Sequence, residues 1–154
     1  MEKVRILLAG LGRMGQSHAS NLVHGIPEAE VVAVCSIVQE ELDWAKKNLG
    51  VQNMYQDFDK MVDEKKGEAD AVYLVTSTDQ HARGIIKGLE NGLHVFCEKP
   101  LGISIKECLE VEEVSKKYPD LNVTLGFVRR YDPSYKYAKE LVDAGKIGKP
   151  FLVK

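Results

Sequence analysis

Residues 4–15 read VRILLAGLGRMG, and this stretch decides the fold. Its first half is an apolar run typical of a buried strand, and its second half has the pattern Gly-x-Gly-x-x-Gly. The pattern alone is weak evidence, but here it directly follows a strand and opens a helix, which raises its weight. The stretch therefore predicts the turn between the first strand and the first helix of a dinucleotide-binding unit.

Each glycine of this loop has its own physical role. Gly10 permits the tight turn, Gly12 lets the backbone approach a pyrophosphate, and Gly15 lets the helix pack closely on the strand. The helix start also presents free N–H groups and the positive end of its dipole to phosphates. We predict NAD or NADP as the cofactor, and the alternative is a glycine turn without a ligand. The predicted loop contacts are Gly10, Gly12, Arg13, Met14 and Gly15.

Apolar runs alternate with helix-like segments along the rest of the chain. The predicted strands are residues 4–9, 31–35, 52–55, 71–75, 93–97 and 122–127. The predicted helices are residues 14–24, 40–49, 57–65, 78–91, 104–117 and 132–144, with caps at Asp57, at Thr78 or Asp79, and at Ser104. This alternation predicts an α/β fold of the Rossmann type, a doubly wound parallel sheet with helices on both faces.

The chain is expected to contain one complete domain and the beginning of another. We predict a dinucleotide-binding domain over residues 1–121 and a boundary before Asn122. Residues 122–154 would then form a linking strand, a helix and the first strand of an incomplete α+β substrate domain. The apolar segment 149–154 has no partner strand in the sequence, so we expect a fragment of a longer protein. The unpaired edge at residues 151–154 could join two copies.

Composition excludes several classes of protein. The chain has 21 Lys and Arg against 23 Asp and Glu, so it lacks the basic excess that binding to nucleic acid requires. No apolar run approaches the roughly 20 residues that cross a bilayer. The three cysteines, Cys35, Cys97 and Cys108, form no CxxC motif and predict reduced thiols in the cytoplasm. No cluster has zinc-ligand spacing, so no metal is predicted.

The residue after the second strand leaves the cofactor choice open. A ribose-binding Asp or Glu is expected about 20 residues beyond the glycine loop, but the register places Ser36 there. Serine neither accepts two ribose hydroxyls as a carboxylate does nor repels a 2′-phosphate. Glu40 and Glu41 would disfavour that phosphate if they pointed inward. The alternative is that Ser36 only caps the next helix.

Two polar clusters follow the fourth and fifth strands, at the sheet edge where open α/β sheets bind ligands. One is residues 76–81, TSTDQH, and the other is Glu98-Lys99-Pro100. Because Pro100 restricts the preceding residue to extended geometry, the Lys99 ammonium would be held in one direction. That suits a catalytic or substrate-orienting cation, and the alternative is a solvated lysine before a turn.

Together these motifs resemble the glucose–fructose oxidoreductase/inositol dehydrogenase family, often called Gfo/Idh/MocA. The Glu-Lys-Pro motif in this register is specific, and the segment FVRRYD at residues 127–132 most resembles inositol 2-dehydrogenases. The resemblance covers the whole chain. It is carried by the glycine loop with His18, by residues 76–81 and 98–102, and by GFVRRYDP at 126–133 and IGKP at 147–150.

The resemblance implies an NAD(P)-dependent oxidation of a secondary alcohol on a cyclic polyol or sugar, with hydride transfer to the nicotinamide. Lys99 matches the family lysine that hydrogen-bonds the reacting hydroxyl and so is the implied catalytic residue. Lys99 and Arg129 are the implied substrate contacts. The resemblance implies cofactor contacts at Thr76, Thr78 and His81. The remaining predicted cofactor contacts outside the glycine loop are Ser36, Glu98 and Lys99.

The resemblance also sets expectations about what the chain lacks. The family's proton-transferring Asp and His would lie beyond Lys154, so we expect the chain alone to bind cofactor and to be inactive or to react only slowly. Ser77 stands where the family usually has Pro, which affects the shape of that loop. Full-length relatives usually assemble as homo-oligomers. The alternative function is a non-catalytic NAD(P)-binding regulator on the same scaffold, although the presence of Lys99 favours an enzyme.

Overall fold

The computed structural model of the chain describes residues 3–152. Its strands are β1 (Val4–Ala9), β2 (Ala29–Cys35), β3 (Met54–Tyr55), β4 (Ala71–Leu74), β5 (His94–Cys97) and β6 (Val123–Leu125). They form one parallel sheet in the order β3-β2-β1-β4-β5-β6. This is the strand order of a Rossmann sheet. The chain adds β2 and β3 on one side of β1 and then crosses to the other side of β1 for β4, β5 and β6. The predicted doubly wound parallel sheet is therefore confirmed.

Six helices connect or follow these strands. They are α1 (Arg13–Gly25), α2 (Gln39–Leu49), α3 (Phe58–Lys65), α4 (His81–Glu90), α5 (Ile105–Ser115) and α6 (Pro133–Asp143), all within residues 3–152. The predicted cap at Asp57 is confirmed, because its carboxylate accepts the Lys60 N–H. The predicted capping box of Ser104 with Glu107 is also confirmed. These local hydrogen bonds satisfy N–H groups that have no partner inside the helix.

The predicted helix cap at Thr78 or Asp79 is wrong. These residues belong to a tight 3₁₀ turn, Thr78–Gln80, and α4 begins only at His81. The turn is closed by the Gln80 N–H, which donates to the Ser77 carbonyl at 2.9 Å. The chain thus leaves β4 through a short polar loop before the helix starts, and this loop lies at the ligand edge of the sheet.

Helices cover both faces of the sheet, and the core is therefore divided into two layers. Successive residues of β1 alternate between them, with Leu8 packed in the layer under α1 and α2 and Leu7 in the layer under α3, α4 and α5. Each fully buried leucine contributes roughly 1.5–3 kcal/mol to stability. Because both faces are buried, the central strands are apolar throughout, as the sequence shows.

The last strand lies in the same sheet as the other five. β6 pairs with β5 in parallel, with Val123 opposite Val95 and Leu125 opposite Cys97. The predicted domain boundary before Asn122 therefore precedes β6, which is the sixth strand of this sheet. The division of the chain into two domains stays a prediction. α6 follows β6 and contributes no buried residue.

The predicted final strand over 149–154 is not formed at residues 149–152. No neighbouring strand lies beside this segment within the described residues, so its backbone has no ladder to join. Val153 and Lys154 lie outside the described residues, so the edge at 151–154 that was predicted to join two copies is described only in part. Over residues 3–152, none of the helices combines the length and the apolar character that a bilayer crossing requires.

Candidate functional site

The glycine loop, residues 10–15, joins β1 to α1 in a conformation that side chains would disrupt. Gly10 has φ +92°, and a Cβ placed there would overlap the carbonyl of Val75. A Cβ on Gly15 would overlap the carbonyl of Gly10. The roles predicted for these two glycines, the tight turn and the close packing of helix on strand, thus have a direct steric basis.

Gly12 differs from its neighbours because the space in front of it is open. A Cβ placed on Gly12 would meet only Oε1 of Glu41, at 3.8 Å. Gly12 is also the N-cap of α1, where no side chain accepts from the first N–H groups and no acidic residue stands in the first turn. An open space in front of uncapped helix N–H groups fits the pyrophosphate of a dinucleotide.

A cavity of about 670 Å³ lies against this open space, and we call it the first cavity. It is walled by the glycine loop, by the end of β2 and by the loop after β4. Among the predicted cofactor contacts, the ones that line it are Gly10, Gly12, Ser36 and Thr76. The Oγ1 atom of Thr76 is buried and has no hydrogen-bond partner, which is unusual for a buried polar atom. A ligand in the first cavity would supply the missing partner.

The polar wall at the end of β2 consists of Ser36 and Glu41. Ser36 is only 6% exposed, and its hydroxyl donates to Oε2 of Glu41 at 2.5 Å while accepting the Val38 N–H at 3.1 Å. Ser36 is not the N-cap of α2, because Val38 holds that position. The hydroxyl thus fixes the carboxylate of Glu41 at the edge of the first cavity.

The other predicted cofactor contacts do not line the first cavity. His81 is 1% exposed, with Nδ1 2.6 Å from the Pro100 carbonyl and Nε2 3.1 Å from the Thr76 carbonyl. Its ring therefore lies between the loop after β4 and the loop after β5, with a backbone carbonyl within hydrogen-bond distance of each nitrogen. The residues outside the lining are Arg13, Met14, Gly15, Thr78, His81, Glu98 and Lys99.

The two predicted substrate contacts meet in a second cavity, of about 920 Å³. Lys99 reaches it from the end of β5, before a cis peptide bond to Pro100, and Arg129 reaches it from the turn after β6. Arg129 pairs with Asp132 at 2.7 Å and lies over the ring of Tyr135, 4.9 Å from its centroid. These contacts hold the guanidinium at the cavity wall. Three further charged residues of α6 line the cavity, namely Lys136, Lys139 and Glu140.

Sequence reasoning missed a half-buried chain of polar side chains that ends at the backbone of Lys99. The hydroxyl of Tyr73 lies 3.0 Å from Nδ1 of His18, and Nε2 of His18 lies 3.1 Å from Oε1 of Glu98. The other Glu98 oxygen accepts the Lys99 N–H at 3.1 Å. Burial raises the pKa of Tyr73 to about 12, with the Glu98 charge adding to the effect, so the phenol keeps its proton. Glu98 therefore holds the backbone of Lys99 through a network inside the protein.

Comparison with known proteins places the chain among oxidoreductases. Residues 4–127 match the family described as "Oxidoreductase family, NAD-binding Rossmann fold". The scyllo-inositol 2-dehydrogenase (NAD(+)) of Bacillus subtilis is 38% identical over 152 residues, which are 99% of this chain and 44% of that protein. The myo-inositol 2-dehydrogenase of Thermotoga maritima is 36% identical over 151 residues, 98% of this chain and 44% of that protein.

Solved structures give the same result for the fold. The scyllo-inositol dehydrogenase of Lactobacillus casei, solved with bound NAD(H) and scyllo-inositol, matches with a TM-score of 0.91 and 44% identity. The match covers 96% of this chain and 43% of that one. The chain spans less than half the length of the relatives that it matches.

Proposed function

The chain belongs to the Gfo/Idh/MocA oxidoreductase family, and on that premise we propose that it binds NAD as part of a polyol dehydrogenase. The reaction is the oxidation of a secondary alcohol of a cyclic polyol, with an inositol as the first candidate substrate. One observation carries the proposal: Lys99 and Arg129 line one cavity at the same edge of the sheet as the open glycine loop. The similarity to inositol dehydrogenases supports it.

Residues of the first cavity would hold the cofactor, and residues of the second cavity would hold the substrate. Bound NAD would supply the hydride acceptor, the nicotinamide ring. The glycine loop and the uncapped start of α1 would hold the pyrophosphate, and Thr76 would donate or accept one hydrogen bond in the first cavity. Lys99 would hydrogen-bond the reacting hydroxyl and stabilise negative charge as its proton leaves. Arg129 would orient neighbouring hydroxyls of the ring.

Removal of the hydroxyl proton also needs an acceptor. Among the described residues that line the second cavity, Glu140 is the single carboxylate, and none is a histidine. Because a positioned base typically contributes 10²–10⁴-fold to rate, we propose that the 154-residue chain binds cofactor well and turns over slowly. Assembly into a homo-oligomer and a cytoplasmic location stay predictions.

Single-turnover kinetics test the proposed reaction. The chain, in excess over NAD, is mixed with myo-inositol or scyllo-inositol, and the absorbance of reduced nicotinamide is followed. We expect slow formation of NADH that Lys99→Met abolishes, because methionine keeps the length of the side chain and removes the ammonium. The matched control is Lys106→Met, which changes an exposed lysine of α5 outside both cavities.

Two outcomes would contradict the proposal. Equal rates of NADH formation in Lys99→Met and the parent chain would show that the Lys99 ammonium takes no part in the reaction. Saturable NADH binding with no turnover, and with an NADH affinity that neither inositol changes even in large excess, would instead favour the non-catalytic regulator.

A further inference from the structure

We propose that the carboxylate of Glu41, positioned by Ser36, recognises the adenosine ribose and selects NAD over NADP. The proposal rests on the proposed function, since it assigns a residue to one end of the same cofactor. It differs from the usual arrangement, in which an acidic residue at the end of the second strand does this work. Here the acid comes from the first turn of α2 instead.

Ser36 cannot recognise the ribose in the way that a carboxylate does, because its hydroxyl is already engaged. Its single proton goes to Glu41 at 2.5 Å, and its oxygen accepts the Val38 N–H at 3.1 Å. Its backbone N–H donates to the Tyr55 carbonyl at 3.0 Å, which fixes the residue beside β3. Ser36 is therefore a positioning residue whose hydroxyl aims another side chain.

Glu41 is aimed into the space that the missing acid would otherwise fill. One carboxylate oxygen is held by Ser36, and the other, Oε1, lies 3.8 Å from the Cβ position of Gly12. The carboxylate thus stands between the end of β2 and the glycine loop, on the wall of the first cavity. Its place in the first turn of α2 is also favoured by the helix dipole.

The charge of the first cavity supports the same selection. An ionised carboxylate offers about four lone-pair positions, so Glu41 can accept from ribose hydroxyls while it keeps its bond to Ser36. A 2′-phosphate would bring like charge against it. Among the described lining residues Arg83 is the single cation, and it is paired with Asp59. The other acid in the lining, Asp79, accepts from Gln80 and adds further negative charge.

The test compares dissociation constants for NADH and NADPH in matched variants of the 154-residue chain. Glu41→Gln removes the charge and keeps the shape. We expect NADH to bind more weakly, NADPH more tightly, and the preference for NADH to fall at least about tenfold, the size of one hydrogen bond to a charged group. Glu40→Gln makes the same change of charge in the same helical turn, on an exposed side chain outside the cavity, and should leave the preference unchanged.

Ser36→Ala separates positioning from packing. The substitution should weaken the binding of NADH and leave NADPH binding at least as tight as in the parent chain. The reason is that the charge of Glu41 remains, but Ser36 no longer holds its carboxylate in position. A general loss of packing would weaken both ligands. Thermal unfolding followed by circular dichroism confirms that each variant is folded.

The outcomes distinguish this inference from the proposed function. If the parent chain binds both dinucleotides and Glu41→Gln leaves their ratio unchanged, the inference is overturned and the proposed function stands. The inference is likewise overturned if Glu40→Gln shifts the ratio as much as Glu41→Gln does, or if the parent chain prefers NADPH. If the parent chain binds neither dinucleotide, the proposed function fails and the inference fails with it.

Discussion

Replacing Gly12 by alanine should separate the stability of the fold from the binding of cofactor. Gly12 has φ −63° and ψ −175°, an extended conformation that alanine adopts without strain. The added methyl would meet nothing closer than Oε1 of Glu41 at 3.8 Å, which is an ordinary contact. The fold therefore has no steric reason to reject the substitution.

The expected change in stability is small because two effects oppose each other. Alanine is a poorer N-cap than glycine, which costs up to about 1 kcal/mol. Alanine also restricts the unfolded chain, which contributes about 0.4–1 kcal/mol in the opposite direction. The free energy of unfolding of Gly12→Ala should thus stay within about 1 kcal/mol of the parent value.

The effect on binding should be larger, because the methyl projects into the space in front of the uncapped start of α1. A pyrophosphate displaced by the methyl would lose at least one hydrogen bond from a backbone N–H. A hydrogen bond to a charged group contributes about 1.5–3 kcal/mol, so the affinity for NADH should fall about 10- to 100-fold.

The assay is a calorimetric titration with NADH beside thermal unfolding, with Gly25→Ala as the control. Gly25 ends α1, away from the loop, and a Cβ there would meet nothing within 4 Å. We expect the control to bind as the parent chain does. Parental affinity in a folded Gly12→Ala variant would refute the assignment of the pyrophosphate to this loop.

Two further predictions concern the thiols and an ion pair. A thiol reagent applied to the native chain should label Cys108 first and reach Cys35 and Cys97 only after unfolding. The reason is that burial raises the pKa of Cys35 to about 11 and that of Cys97 to about 12; three fast thiols would contradict this. Asp70→Asn should cost about 0.5–1 kcal/mol in urea unfolding, since Asp70 accepts from the side chain and the N–H of Arg5 in a half-exposed pair. Those bonds lower the pKa of Asp70, so the parent chain should lose its greater free energy of unfolding as the pH falls below about 4. A difference in stability that does not depend on pH would contradict this prediction.

Local patterns in the sequence were sufficient to predict most of the fold. The alternation of apolar runs with capped helices locates every strand of the sheet, and the caps at Asp57 and Ser104 follow from hydrogen bonds over three residues. The start of α4 was mispredicted, because the 3₁₀ turn at Thr78–Gln80 competes with a helical cap made of the same polar residues. A local pattern does not decide between two local structures of similar composition.

The site depended more on contacts between distant residues. The glycine loop was predicted, because its chemistry is contained in six adjacent residues. The chain from Tyr73 through His18 to Glu98 was missed, since its members lie 55 and 80 positions apart and meet only when the sheet has formed. The inward aim of Glu41 was left open for a similar reason, because it depends on how α2 is set against the end of β2.

The most direct test of cofactor binding at the glycine loop is a calorimetric titration of the 154-residue chain with NADH, with Gly12→Glu as the comparison. We predict saturable binding to a single site, which the variant loses because a carboxylate would occupy the place of the pyrophosphate. Absence of saturable binding to the parent chain up to millimolar NADH would contradict the central claim, as would equal affinity in a folded Gly12→Glu variant.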